Sequence, residues 1–89
     1  MKTLTFYGIQ RKSTGILVHV WSGHYHGEDG HKLTEYTDHP IWMVPQKQDA
    51  LDVLNHVEKP WSGRSYFNPE YEFDLKTEDF EVVEIKVNW

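Results

Sequence analysis

The chain has 89 residues and a formal net charge of −5. This length suits one domain with a modest core, so we expect residues 1–89 to fold as a single unit. The sequence contains no cysteine, which excludes disulfides, thiolate metal sites and a cysteine nucleophile. It has neither the apolar run of about 20 residues that spans a membrane nor the pattern of a signal peptide. We therefore expect a cytoplasmic protein without membrane contact.

The negative charge is concentrated toward the C-terminus. Residues 60–89 contain seven acidic and three basic side chains, a net charge of −4, whereas the charges of residues 1–45 balance. Binding to a phosphate backbone requires clustered Lys and Arg. The sequence therefore predicts no direct contact with nucleic acid.

Two strands are predicted near the N-terminus. Residues 3–10 are rich in Thr and aromatic side chains, and residues 16–22 are mainly apolar and β-branched, both of which are typical of strands. Residues 11–15 separate them and predict a hairpin turn, in which Gly15 supplies the left-handed conformation of a short loop.

The middle of the chain is less regular. We expect a polar loop over residues 23–31, which include three glycines, a third strand over residues 32–37 and a short fourth strand over residues 40–44. Residues 61–76 have no clean period of either kind.

The last nine residues are the clearest strand. Val83, Ile85, Val87 and Trp89 alternate with charged or polar residues, so they are expected to line one face. Charged side chains along the other face suit an edge strand or a solvent-facing strand. The chain is accordingly expected to be a monomer or a dimer formed through this strand edge.

One helix is predicted, at about residues 46–58. Ala50, Val53, Leu54 and Val57 recur at helical spacing and form one apolar stripe. Pro60 ends the pattern because proline disfavours helical geometry in the residue before it. Together these elements predict an α+β fold, with a four- to five-stranded, mostly antiparallel sheet and the helix packed across it.

Three stretches carry a family resemblance. The turn at residues 11–15 (RKSTG), residues 40–44 (PIWMV) leading into the helix, and the closing strand at residues 78–87 (EDFEVVEIKV) resemble small uncharacterised accessory proteins of tailed bacteriophages. The resemblance implies a host-interaction or anti-defence role, in which a small protein blocks a host factor or sequesters a signalling nucleotide. It does not identify the target.

The histidine-rich stretch at residues 24–31 is a candidate metal site. His24 and His26 would lie on one side of an extended segment, and Asp29 or His31 would complete a set of nitrogen and oxygen ligands. The spacing matches no established metal motif, and a solvated loop with incidental histidines is the favoured interpretation. We therefore predict no metal and no cofactor.

Aromatic and charged residues after the helix form a candidate binding surface. Aromatic side chains and Arg are enriched at the energetic centres of protein interfaces. The alternative is that some of these rings fill the open side of the sheet. The predicted partner-binding residues are Trp61, Arg64, Tyr66, Glu70, Tyr71, Glu72 and Asp74.

Acidic residues continue beyond this surface as Glu78, Asp79, Glu81 and Glu84. They indicate either recognition of a basic surface or a solubilising face, of which the solubilising face is favoured.

Catalysis has little support in the sequence. No serine has the context of a nucleophile elbow, and no glycine-rich phosphate loop is present. A pair of His19 with Glu35 or Tyr36 across neighbouring strands would be the main acid–base candidate. We therefore predict that the protein is not an enzyme.

The first hypothesis for function is a small acidic binding protein that inhibits a host protein by occluding its surface. The second is an oligomeric protein that sequesters a nucleotide-like molecule between aromatic rings such as Trp21, Trp42 and Tyr66. The third is metal binding by the histidine-rich stretch.

Overall fold

The structure is a computed structural model that describes residues 2–25, 28–57 and 69–88. These residues form six strands and one helix, which confirms the predicted α+β class. The elements are β1 (Thr3–Arg11), β2 (His19–Tyr25), β3 (Glu28–Thr34), β4 (Met43–Val44), α1 (Lys47–Leu54), β5 (Glu70–Tyr71) and β6 (Phe80–Asn88).

The strands divide between two three-stranded sheets rather than one sheet. Sheet A has the order β4-β1-β6 and is antiparallel; sheet B has the order β2-β3-β5, in which β5 runs parallel to β3. Residues 40–44 join the two sheets. Ile41 pairs with His19 at the start of sheet B, whereas Met43 and Val44 pair with β1 in sheet A.

The predicted turn at residues 11–15 forms, but the hairpin around it is short. The Ile16 carbonyl accepts a hydrogen bond from the Arg11 N–H at 3.0 Å, and Gly15 has the predicted left-handed conformation, with a φ of 71°. Only Leu17 then pairs with β1, opposite Gln10. The chain continues into sheet B, where β2 begins at His19.

Most of the predicted loop at residues 23–31 is strand. Residues of β2 and β3 pair in one antiparallel register from His19↔Thr34 to Tyr25↔Glu28. A backbone ladder of this kind does not require apolar side chains. The polar composition of residues 23–31 therefore gave no sequence signal for these strands.

The closing strand is present and pairs with β1 over its whole length, from Thr3↔Asn88 to Arg11↔Phe80. Val83, Ile85 and Val87 share one face as predicted, but the core lies on the other face. Phe80 is buried and Val82 packs against the core, so the core lies on their face of β6. Val83, Ile85 and Val87 lie on the opposite face and are half-buried.

Helix α1 ends at Leu54, short of the predicted residue 58. His56 has a φ of 58°, and the N–H groups of His56 and Val57 donate to the carbonyls of Val53 and Asp52 at 3.1 and 2.8 Å. This is a Schellman motif, which satisfies the last carbonyls and turns the chain away. Val57 consequently leaves the apolar stripe and is 48% exposed.

Along the part of the chain that the structure describes, no helix combines the length and the apolar character needed to cross a membrane.

One cluster of buried side chains unites both sheets and the helix. Tyr7, Tyr71, Phe73 and Val82 pack against it from the periphery. Its members are Ile9, Val18, Val20, Leu33, Trp42, Val44, Ala50, Val53, Leu54, Leu75 and Phe80.

Candidate protein-binding surface

Residues 69–75 alternate strictly between buried and exposed positions. The exposed carboxylates, here called the acidic row, belong to Glu70, Glu72 and Asp74. The buried or half-buried side chains, here called the inner row, are Pro69, Tyr71, Phe73 and Leu75. Four of the predicted partner-binding residues therefore lie in this segment, three pointing outward and Tyr71 pointing inward.

The backbone of this segment is attached to sheet B. Strand β5 pairs in parallel with β3, with Lys32 opposite Glu70 and Leu33 opposite Tyr71. The Glu72 N–H extends the pairing by donating to the Leu33 carbonyl at 3.0 Å. A parallel pair of two residues is too short to be stable alone, so the segment depends on its side chains.

Tyr71 supplies the main side-chain anchor. Its hydroxyl donates to the Val53 carbonyl at 3.2 Å, and its ring lies 4.8 Å from the His56 ring at an angle of 56°. Burial of the phenol raises the pKa of Tyr71 above its ordinary value of 10.0, because water no longer stabilises the phenolate. The residue is thus held against the end of α1.

Two further contacts hold the rest of the inner row. The His56 Nε2 and the Leu75 carbonyl are 2.7 Å apart in a hydrogen bond, which joins the turn after α1 to the end of the segment. The Phe73 ring stacks on the Phe80 ring with centroids 5.4 Å apart. The segment is therefore attached to α1, β3 and β6.

The acidic row is open to solvent. The side chains of Glu70 and Asp74 are 80% and 78% exposed. Their cations, Lys32 at 4.0 Å and Lys76 at 3.4 Å, form surface pairs of the kind that contribute little. Among the described residues, no cation lies within ion-pair distance of Glu72.

The acidic residues further along the chain are exposed as well. Glu81 accepts a hydrogen bond from the Gln10 amide at 2.7 Å, and Glu84 lies 3.7 Å from Lys86. Glu78, Asp79, Glu81 and Glu84 therefore add exposed negative charge beyond the acidic row.

Three predicted partner-binding residues, Trp61, Arg64 and Tyr66, lie outside the described residues. The structure does not bear on them.

The proposed stacking site for a nucleotide-like molecule is not supported at Trp42. This side chain is 0% exposed and belongs to the core, so a ligand cannot stack on it. Trp21 is 39% exposed, and Tyr66 lies outside the described residues. The sequence prediction placed Trp42 in a binding site because residue type alone does not distinguish a buried tryptophan from an exposed one.

The candidate metal ligands divide between two strands. His24 lies on β2 opposite Asp29, and His31 lies on β3 opposite Ser22; His26 lies outside the described residues. Within the part of the chain that the structure describes, no group of three His, Cys, Asp or Glu side chains could hold a metal ion.

The predicted acid–base pair does not form. The His19 ring bonds through Nδ1 to the His39 carbonyl. Both carboxylate oxygens of Glu35 accept hydrogen bonds from Arg11. The hydrogen bond that Arg11 donates to Glu35 is the main cause of a raised Arg11 pKa. This ion pair joins β1 to the end of β3 and has a structural role.

Sequence reasoning missed both the period of residues 69–75 and the anchoring role of His56. The period was visible as the alternation of acidic and apolar residues in PEYEFDL. The alternation was missed because residues 61–76 were considered as one stretch, and the residues before Pro69 do not alternate. No sequence signal identifies His56 as the partner of Leu75 and Tyr71, because the contacts span 19 and 15 positions of the chain.

Comparison of this chain with protein-family models, with curated proteins and with solved structures finds no match. The resemblance to bacteriophage accessory proteins thus stays a prediction.

Proposed function

We propose that this chain is a small, non-enzymatic binding protein that occludes a basic surface of a partner protein, with the acidic row as its contact surface. The observation that carries the proposal is the strict alternation of residues 69–75, which buries one row of side chains and exposes three carboxylates on the same backbone.

The acidic row is held in place before any partner binds. The inner row attaches this segment to α1 through Tyr71 and His56 and to β6 through Phe73. A contact surface that is already ordered loses little conformational entropy when it binds. The acidic row therefore resembles a binding surface more than a mobile solubilising tail.

The charge of the acidic row also favours a basic partner. The acidic row exposes three carboxylates, and Lys76 is the only cation between residues 69 and 84 of the described chain. A field of one sign speeds association with a surface of opposite sign and disfavours partners of like charge. A partner with clustered Lys and Arg fits this surface best.

The resemblance to bacteriophage accessory proteins suggests which partner to seek. It favours a bacterial host protein, such as a defence factor, which the chain would inhibit in the host cytoplasm.

A charge-neutralised variant tests the proposal. The chain is immobilised and exposed to a bacterial lysate at about 50 mM and about 500 mM salt, concentrations that span weak and strong screening. We expect the wild type to retain a protein at low salt and to release it at high salt. The triple variant Glu70→Gln, Glu72→Gln, Asp74→Asn is expected to lose that protein.

A matched variant controls for net charge. Glu78→Gln, Asp79→Asn, Glu81→Gln removes the same charge from exposed positions outside the acidic row and is expected to keep the captured protein. The proposal is wrong if the triple variant of the acidic row retains the same protein as the wild type, or if both triple variants lose it equally.

A further inference from the structure

The outer edge of β6 is the longest free strand edge in the described chain. Strand β6 is the last strand of sheet A, and its partner among the described residues is β1 alone. An open edge presents unpaired N–H and C=O groups to any strand that can align with it. The outer edge of β6 is therefore able to pair with a further strand.

Hydrogen bonds at the end of the ladder show which backbone groups are free. The Lys12 N–H donates to the Asp79 carbonyl at 2.8 Å, one pair beyond Arg11↔Phe80. On the other side of β1, Arg11 and Ile9 bond to the chain at Ile16 and Val18. Hydrogen-bonded and non-hydrogen-bonded pairs alternate in an antiparallel ladder.

It follows that every second residue of β6 directs its N–H and C=O toward β1. Those residues are Glu81, Val83, Ile85 and Val87. The intervening residues direct their backbone groups to the open edge. They are Val82, Glu84, Lys86 and Asn88.

We propose that β6 pairs with β6 of a second copy of this chain, antiparallel and with Ile85 on the two-fold axis. In this register Glu84 of each copy lies opposite Lys86 of the other, and Val83 lies opposite Val87. The stretch Val83-Glu84-Ile85-Lys86-Val87 is self-complementary, because reversing it exchanges the two charges and leaves the apolar positions apolar.

The backbone and the side chains select the same register. Glu84 and Lys86 both direct their backbone groups outward, so each forms a hydrogen-bonded pair with the other across the axis. Their side chains are 59% and 55% exposed, and the partners of the Lys86 ammonium within its own chain are Glu84 at 3.7 Å and the Thr5 hydroxyl at 2.8 Å, both at the surface. Opposite charges directly across a ladder stabilise it, and like charges destabilise it.

The neighbouring symmetric registers are less favourable. An axis at Glu84 places the two Glu84 carboxylates opposite each other, and an axis at Lys86 does the same for the two ammonium groups. The chosen register also covers half-exposed apolar side chains, because Val83, Ile85 and Val87 gain apolar neighbours from the second copy. The dimer does not involve the acidic row, which begins at Glu70 on β5 of sheet B and continues beyond that strand.

Charge reversal with rescue tests the register. Sedimentation velocity of the full chain over a concentration series reaching about 1 mM, which detects even weak association, should show a monomer–dimer equilibrium. Glu84→Lys and Lys86→Glu, each alone, create two like-charge pairs across the axis. We expect each to weaken the dimer by about tenfold or more.

The doubly exchanged variant, Glu84→Lys with Lys86→Glu, restores opposite charges and is expected to return the dimer to near wild-type strength. Mixing the two single variants should likewise produce a heterodimer, because one copy then carries two Lys and the other two Glu. Glu78→Lys, which makes the same charge change away from β6, is the matched control and should leave dimerisation unchanged.

A wild-type chain that is monomeric throughout the series overturns the proposal. So does a dimer that the single reversals do not weaken, or one that the double exchange fails to restore. Circular dichroism of each variant at low concentration verifies the monomer fold, and the mixing experiment gives a second reading if the double variant does not fold.

Discussion

Residues 69–75 and residues 83–88 of strand β6 both alternate between more buried and more exposed side chains, and they are held in place in different ways. All three exposed positions of residues 69–75 are acidic, whereas the exposed positions of β6 are Glu81, Glu84, Lys86 and Asn88. In the first, backbone pairing covers only Glu70 and Tyr71, together with one further bond from Glu72, and the inner row supplies the attachment. In β6 the ladder with β1 runs over all nine residues.

The difference separates two sources of order. A segment held by side chains depends on a few buried contacts, whereas a segment held by a ladder distributes its stability over many backbone bonds. The apolar row of β6 is consequently free to remain half-exposed and to meet another molecule. In residues 69–75 the apolar row is used for anchoring, and only the carboxylates remain available.

The largest expected effect is at Phe80, where the two regions meet. Its ring is 1% exposed, stacks on Phe73 and lies 4.6 Å beneath the Arg11 guanidinium. Phe80→Ala should lower the free energy of unfolding by about 3 kcal/mol or more, as for other buried aromatic truncations. Urea denaturation measures the change.

Phe6→Ala is the matched control, since Phe6 is half-buried on the open face of the same ladder. We expect a loss of about half as much, because less apolar area is involved. Equal losses would contradict the distinction between a core face and an open face of sheet A.

The next largest loss of stability is expected at Tyr71 in residues 69–75, and a smaller one at Ile85 in β6. Tyr71→Ala removes a half-buried ring and the hydroxyl that bonds to Val53, and should lower the free energy of unfolding by about 2 kcal/mol. Ile85→Ala in dilute solution should cost about 1 kcal/mol, because Ile85 is half-exposed and its backbone stays in the ladder. Hydrogen exchange should show that only the first variant loosens residues 69–75.

The stability of Tyr71→Ala determines how a loss of partner binding in this variant is interpreted. If Tyr71→Ala leaves the unfolding midpoint unchanged, the ring is not an anchor, and its interpretation as a direct contact residue gains support.

A pH experiment tests the same anchor. The folded-state pKa of Tyr71 is raised by burial, so the stability associated with its neutral phenol is complete below the ordinary pKa of 10.0. That stability is lost as the pH rises through the higher folded-state value. The wild type should therefore lose more stability than Tyr71→Phe between about pH 9 and pH 11.

The control for this experiment is Tyr36→Phe, at a tyrosine that is 68% exposed. It should follow the wild-type pH dependence. Parallel curves for the wild type and Tyr71→Phe would show that Tyr71 ionises as freely in the folded protein as in the unfolded chain.

The smallest effect concerns the helix that anchors residues 69–75. Gln46 is the N-cap of α1 and makes no side-chain cap hydrogen bond. Gln46→Ser supplies a side-chain oxygen that can accept a hydrogen bond from an N–H group of the first turn, and it should stabilise the protein by about 0.5–1 kcal/mol. A rise of a few degrees in the thermal midpoint is expected, whereas Gln48→Ser, within the helix, should give none.

The sequence by itself determined those features that depend on local chemistry. The period of the last strand, the apolar stripe of Ala50, Val53 and Leu54, and the left-handed Gly15 all follow from the preferences of a few neighbouring residues. The α+β class follows from adding these elements together.

Only the tertiary structure decided which face each element presents and which strands pair. The core lies on the Phe80 side of β6 because β1 contributes Ile9 there, and Trp42 is buried because residues 40–44 cross between the two sheets. Tyr71 is an anchor because the end of α1 lies within reach of its hydroxyl. Partners that are distant along the chain leave no local pattern, since the pairing energy resides in contacts that form only when the whole domain is assembled.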